Sequence, residues 1–108
     1  MEKFEKTIRY TKLFNLYSDF LSESQKEIFT DYFLADLSIS EISENRNISR
    51  AAVEDSLSKS IKKLDLYESS LHVCLTRENI RQKCLELKKT TANSEQNILI
   101  DEILEEIK

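Results

Sequence analysis

The stretch Leu37-Ser38-Ile39-Ser40-Glu41-Ile42-Ser43-Glu44-Asn45-Arg46-Asn47-Ile48-Ser49-Arg50-Ala51-Ala52-Val53-Glu54-Asp55-Ser56-Leu57 decides the fold. It reads as two helices joined by a tight turn. Ser38 followed by Glu41 is a Ser-x-x-Glu capping box, which satisfies the unpaired N–H groups at a helix start. Ser49 is a second N-cap candidate, since its hydroxyl can accept from the N–H groups of the next turn. Asn47 sits where the chain must reverse, and Asn tolerates the left-handed conformation better than most residues with a Cβ. Ile39 and Ile42 share one face of the first helix. Ile48, Val53 and Leu57 are placed for the second to pack on it. This is the layout of a helix-turn-helix, which offers its second helix to a DNA major groove.

Upstream, Phe4, Ile8, Leu13, Phe14, Leu16, Tyr17, Phe20 and Leu21 predict a helix from about Phe4 to Phe20, apolar enough to be gripped from two sides. Ser22 and Gln25 repeat the capping box and predict a second helix from about Glu23 to Ala35, with Ile28, Phe29, Tyr32 and Phe33 inward. Downstream, Val53, Leu57, Ile61, Leu64, Tyr67 and Leu71 carry the helix after Ser49 to about His72. Thr76 is then expected to cap a fifth helix ending near Lys89, with Ile80, Cys84, Leu85 and Leu87 inward. The run Thr90 to Ser94 is linker-like, and Ser94 is expected to cap a last helix in which Ile98, Ile100, Ile103, Leu104 and Ile107 face one way. The fold class expected is all-α, and the organisation is a single helical domain over 1–108. Residues 1–72 form the helix-turn-helix core and 73–108 a helical C-terminal extension.

The chain of 108 residues contains no Gly and no Pro. That excludes glycine-rich phosphate loops and proline-rich linkers. The charged fraction of 33 % and hydrophobic fraction of 40 % are those of a globular protein. The net charge of −4 is unevenly spread. Between Arg46 and Lys63, five basic residues face Glu54 and Asp55, a local net of +3. From Ser94 to Lys108, five carboxylates face Lys108 alone, a local net of −4. Local sign governs a binding face more than the sum does. Cys74 and Cys84 lack metal-ligand spacing and suit packing in a reducing compartment. His72 is the one histidine, so no metal or other cofactor is expected. No Ser-His-Asp grouping, buried carboxylate pair or phosphate loop supports an enzyme. No apolar run spans a bilayer and no apolar signal region opens the chain, so a cytoplasmic location without membrane insertion is expected.

Residues 22 to 64 resemble region 4 of the sigma-70 factors, through Leu21-Ser22-x-x-Gln25, Leu37-Ser38-x-x-Glu41-Ile42, Ile48-Ser49 and Val53. More narrowly, the chain resembles the YlxM family of small bacterial helix-turn-helix proteins. Leu13-Phe14 and Tyr17, Asn47-Ile48-Ser49-Arg50, Ala52-Val53 and Asp55, then Leu64, Tyr67-Glu68 and Leu71 carry that likeness over most of residues 9 to 72. The resemblance implies a cytoplasmic bacterial protein whose gene lies beside those of the signal recognition particle, with a regulatory or accessory role in that pathway. The chain departs from the family where members usually carry Gln, Tyr and Asn, at Ala51, Glu54 and Ser56. Ala51 cannot hydrogen-bond a base edge, and Glu54 can accept from a cytosine amine but repels phosphate.

The candidate nucleic-acid contacts are Arg46, Ser49, Arg50, Lys59, Lys62 and Lys63. Arg50, at the N-terminal end of the recognition helix, suits a base or phosphate, and Ser49 a phosphate beside the helix N-terminus. The lysines suit backbone phosphates; as a plain solvated face they would do nothing. Arg46 stands where a helix-turn-helix normally places an apolar residue. Two or three phosphate contacts per copy bind weakly at physiological salt, since specific binders neutralise roughly six to ten. A homodimer would double the number, and the apolar first and last helices are material for one. Two functions stay open. One is a non-enzymatic regulator that binds DNA. The other is a protein-interaction module, docking for example on the particle's protein, or an accessory to the particle's RNA, that keeps the fold without binding DNA.

Overall fold

The computed structural model describes residues 3–108. Six α-helices and no strand are found among these residues: α1 (Lys3–Tyr17), α2 (Glu23–Phe29), α3 (Ile39–Arg46), α4 (Arg50–Leu71), α5 (Val73–Thr90) and α6 (Ser94–Glu106). The all-α expectation and the helix-turn-helix are both present. The chain forms two compact units, residues 3–71 and His72–Lys108.

In the first unit, α4 packs against α1, α2 and α3. Its inner face is Val53, Leu57, Ser60 and Leu64, a three-to-four spacing that puts all four on one stripe. They share the core of this unit with Leu13, Tyr17, Leu21, Ile28, Phe29, Phe33 and Ile42, all buried. Aromatic rings organise the centre. Phe14 stacks on Phe29 with centroids 4.4 Å apart, and Phe29 lies 4.7 Å from Phe33. Such pairs stabilise by about 0.5–1.5 kcal/mol beyond their buried area.

Two phenols fasten α1 to the far half of α4. The Tyr10 hydroxyl donates to Asp65 Oδ2 at 2.9 Å, and the Tyr17 hydroxyl to Glu68 Oε1 at 2.7 Å. Arg9 adds a contact to Asp65 Oδ1 at 3.0 Å. Burial, then the bond to Asp65, pushes the Tyr10 pKa above its ordinary value, so the phenol stays a proton donor.

The two capping boxes form as read: Ser22 with Gln25, and Ser38 with Glu41, each with both reciprocal hydrogen bonds. The helix expected to run on to Ala35 instead widens after Phe29 into a π-helical turn, Thr30–Leu34. The wider turn keeps Phe29 and Phe33 both in the core. It ends at Asp36, in the left-handed region with φ 55°.

In the second unit, α5 and α6 pack as an antiparallel pair. Its start corrects the reading of Thr76 as a cap. The helix begins at Val73, and the break from α4 is the single residue His72 at φ 54°, whose carbonyl accepts from Thr76 N. His, like Asn and Asp, enters the left-handed region more readily than other residues with a Cβ. The cap of α6 is Asn93 rather than Ser94: its side-chain oxygen accepts from Glu95 N at 2.9 Å and Gln96 N at 3.2 Å. The inward faces are also narrower than expected. Cys84 and Ile100 are buried, but Leu85, Leu87, Ile98 and Ile103 are exposed.

Candidate nucleic-acid interface

The turn between α3 and α4 is a Schellman closure. Asn47 has φ 54° and ψ 47°, the left-handed conformation its amide side chain tolerates. Its N–H reaches Glu44 O at 3.4 Å, and the Ile48 N–H reaches Ser43 O at 3.1 Å. The Ser43 hydroxyl donates to Ile48 O at 2.6 Å and ties the turn back to α3. Orphan carbonyls at the end of α3 are thereby satisfied. One residue on, Ser49 Oγ accepts from Ala52 N at 3.0 Å and caps α4 as its type and position required. A cap and a left-handed reversal two residues apart force the chain to bend sharply here.

That bend leaves the start of α4 open. Ser49, Arg50, Ala51 and Ala52 are exposed, as are Glu54, Asp55, Ser58, Lys59 and Lys62 further along. Ser49 and Arg50 sit at the helix N-terminus, where unpaired N–H groups and the helix dipole favour an anion. Lys59 and Lys62 lie on the outer side, with Lys62 about 18 Å beyond Arg50 at 1.5 Å per residue. Lys62 has no ion pair among the described residues. Lys59 pairs with Asp55 at 2.9 Å, both largely exposed. Such a solvated pair holds its partners only by about 0.3–0.5 kcal/mol, so Lys59 can exchange it for a phosphate.

The other two sequence candidates are turned inward. Lys63 is half-buried and donates to Gln25 Oε1 at 3.1 Å, joining α4 to the α2 capping box. Arg46 is clamped: its Nε lies 2.6 Å from Asp31 Oδ2 and its Nη1 2.9 Å from Glu27 Oε2. Two carboxylates four residues apart thus hold a guanidinium where an apolar side chain would otherwise pack. The structure therefore gathers Ser49 and Arg50 at one end, aligns Lys59 and Lys62 along the outer side, and gives Arg46 a tie across the unit. The acids at 27 and 31 were the sequence signal for that tie.

Among the described residues no group of His, Cys, Asp and Glu could hold a metal ion. Nor is any described helix long and apolar enough to cross a membrane. Cys74 and Cys84 form no disulfide, the first being half-buried and the second buried.

Comparison with known proteins agrees with this architecture. A family model described as "UPF0122: Putative helix-turn-helix protein, YlxM / p13 like" matches residues 4–106. A UPF0122 protein of Fusobacterium nucleatum is 35 % identical over 97 residues, 90 % of this chain and 94 % of that protein. One from Shouchella clausii is 35 % identical over 103 residues, covering 92 % and 94 %. One from Bacillus thuringiensis is 34 % identical over 94 residues, covering 87 % and 84 %. An all-helical chain bent at Asn47, with its second helix free at the outer side and this match along nearly its whole length, belongs to the UPF0122 family of YlxM/p13-like helix-turn-helix proteins.

Proposed function

We propose that this protein is a non-enzymatic, cytoplasmic regulatory or accessory protein that binds nucleic acid through the start and outer side of α4. The observation that carries the reading is the open N-terminus of α4, with Ser49 and Arg50 exposed beside an outer side bearing Lys59 and Lys62. Arg50 serves the base edges or the nearest phosphate, and Ser49 a phosphate at the helix end. Lys59 and Lys62 serve backbone phosphates. Arg46 and Lys63 support the frame from behind. Two copies act together, because one copy offers few phosphate contacts. Duplex DNA is the primary ligand. The family likeness adds an accessory role in the signal recognition particle pathway, with the particle's RNA as the second nucleic acid to be tried.

A protein-interaction role is favoured by one observation. Glu54 and Asp55 are exposed on the same helix, and both repel phosphate. One titration separates the two readings. Binding to a duplex, and in parallel to the particle's RNA and protein, is followed by fluorescence anisotropy from low to high salt. The nucleic-acid reading expects affinity to fall steeply with salt. It expects Arg50→Ala to weaken binding by about 1–3 kcal/mol. Binding to the protein component alone, untouched by salt or by Arg50→Ala, overturns it in favour of the interaction module.

A further inference from the structure

The second unit covers little of its own apolar surface. Only Cys84 and Ile100 are buried there, whereas Leu87, Leu99 and Ile103 are 54, 59 and 43 % exposed. Units below about 40 residues usually need a disulfide, a metal or oligomerisation to be stable. The two thiols form no disulfide, and no metal-holding group exists among the described residues.

The exposed side chains lie together. Lys88 meets Asp101 at 2.6 Å, and Arg81 Nη2 meets Ile107 O at 3.3 Å. These contacts fix the register of the antiparallel pair, so position 83 is level with 106 and position 87 with 101–102. At 100° per residue, Ile80, Lys83 and Leu87 share one flank of α5, and Leu99, Ile103 and Glu106 share one flank of α6. Both flanks fall on the same side of the hairpin, opposite the Lys88–Asp101 bridge. Charge divides between the helices: α5 carries five basic residues against two acidic, and α6 five acidic and none basic. Lys83 and Glu106 are exposed, and among the described residues neither has an ion pair.

We infer that this side of the hairpin is a homodimer interface in which each α5 lies across the α6 of a second copy. The two-fold axis runs along the hairpin, between its helices. Leu87 then enters the gap between the partner's Leu99 and the partner's Ile103, and Lys83 meets the partner's Glu106. The interface is isologous, so every contact occurs twice. The other two-fold arrangement would lay basic α5 on basic α5 and acidic α6 on acidic α6, which like-charge repulsion disfavours. The inference rests on the two-copy part of the proposed function and is independent of nucleic acid.

Sedimentation equilibrium of the full chain, without nucleic acid, tests it. A dimer is expected. Lys83→Glu and Glu106→Lys should each raise its dissociation constant by about tenfold or more, with helicity unchanged by circular dichroism. An equimolar mixture of these two variants should recover the dimer, because each swapped charge then faces its opposite. Leu99→Lys should give a monomer. A wild-type chain that stays monomeric at all concentrations sinks the two-copy reading itself. A dimer indifferent to all three substitutions overturns this interface alone, and one weakened by both charge changes but not recovered on mixing overturns the crossing of α5 over α6.

Discussion

Arg46 shows how a cation beside a recognition helix can be part of the frame. Its side chain is 32 % exposed and that of Asp31 only 18 %, so the pair lies between the surface and the interior. Charge-assisted hydrogen bonds are worth about 1.5–3 kcal/mol when buried and ion pairs well under 1 kcal/mol when exposed. Arg46→Ala should therefore destabilise the first unit by about 1–2 kcal/mol in urea unfolding. Duplex affinity at a temperature where the variant is folded should stay unchanged. Arg50→Ala should do the reverse, leaving the unfolding midpoint in place and weakening binding. From the sequence, both arginines read as cations in one basic segment. What separates them is a pair of carboxylates 15 and 19 residues before Arg46, a distance that only the fold closes.

Local chemistry decides the elements, and where it is local the sequence is legible. The Ser22 and Ser38 capping boxes and the Ser49 cap each involve side chains within three residues of their partners, and all three form. Asn47 follows the same logic. In a chain without Gly, a left-handed reversal falls to a residue whose short polar side chain lowers the cost. Asn47→Ala should destabilise the protein by about 1 kcal/mol, and Asn47→Gly should leave it as stable or slightly more so. Thermal unfolding of the two variants checks this. The end of α4 near His72 was legible from its apolar stripe, but the start of α5 straight after it was not, because nothing around His72 carries a turn signal and only its backbone angles reveal so short a break. The widening after Phe29 was equally hidden. It answers to the packing of Phe33 against Phe29 and Tyr10, which no local pattern encodes.

At the scale of the whole molecule, the proposed function has an acidic chain approach a polyanion through a few local cations. Each phosphate neutralised adds about −0.9 to the slope of log affinity against log salt. Arg50, Lys59 and Lys62 give a slope of about −3 for one copy and about −5 for two. If pairing occurs through α5 and α6, Glu106→Lys should bring the slope from the larger value to the smaller, although position 106 lies far along the chain from α4. Anisotropy at four or more salt concentrations reads this directly. The alternation of apolar residues announced the helices of the second unit but overstated their inner faces. Ile98 and Ile103 fit a helical stripe and are nevertheless exposed, because one neighbouring helix can cover only part of an apolar circumference.

The helix α4 serves two masters on opposite sides. Its inner residues are fixed by the core, and its later turns by the phenols of α1. Ala51, Glu54, Asp55 and Ser58, all outward, answer to nothing inside the protein. Substitution there should therefore leave the architecture intact, and under the proposed function it would change the choice of target alone.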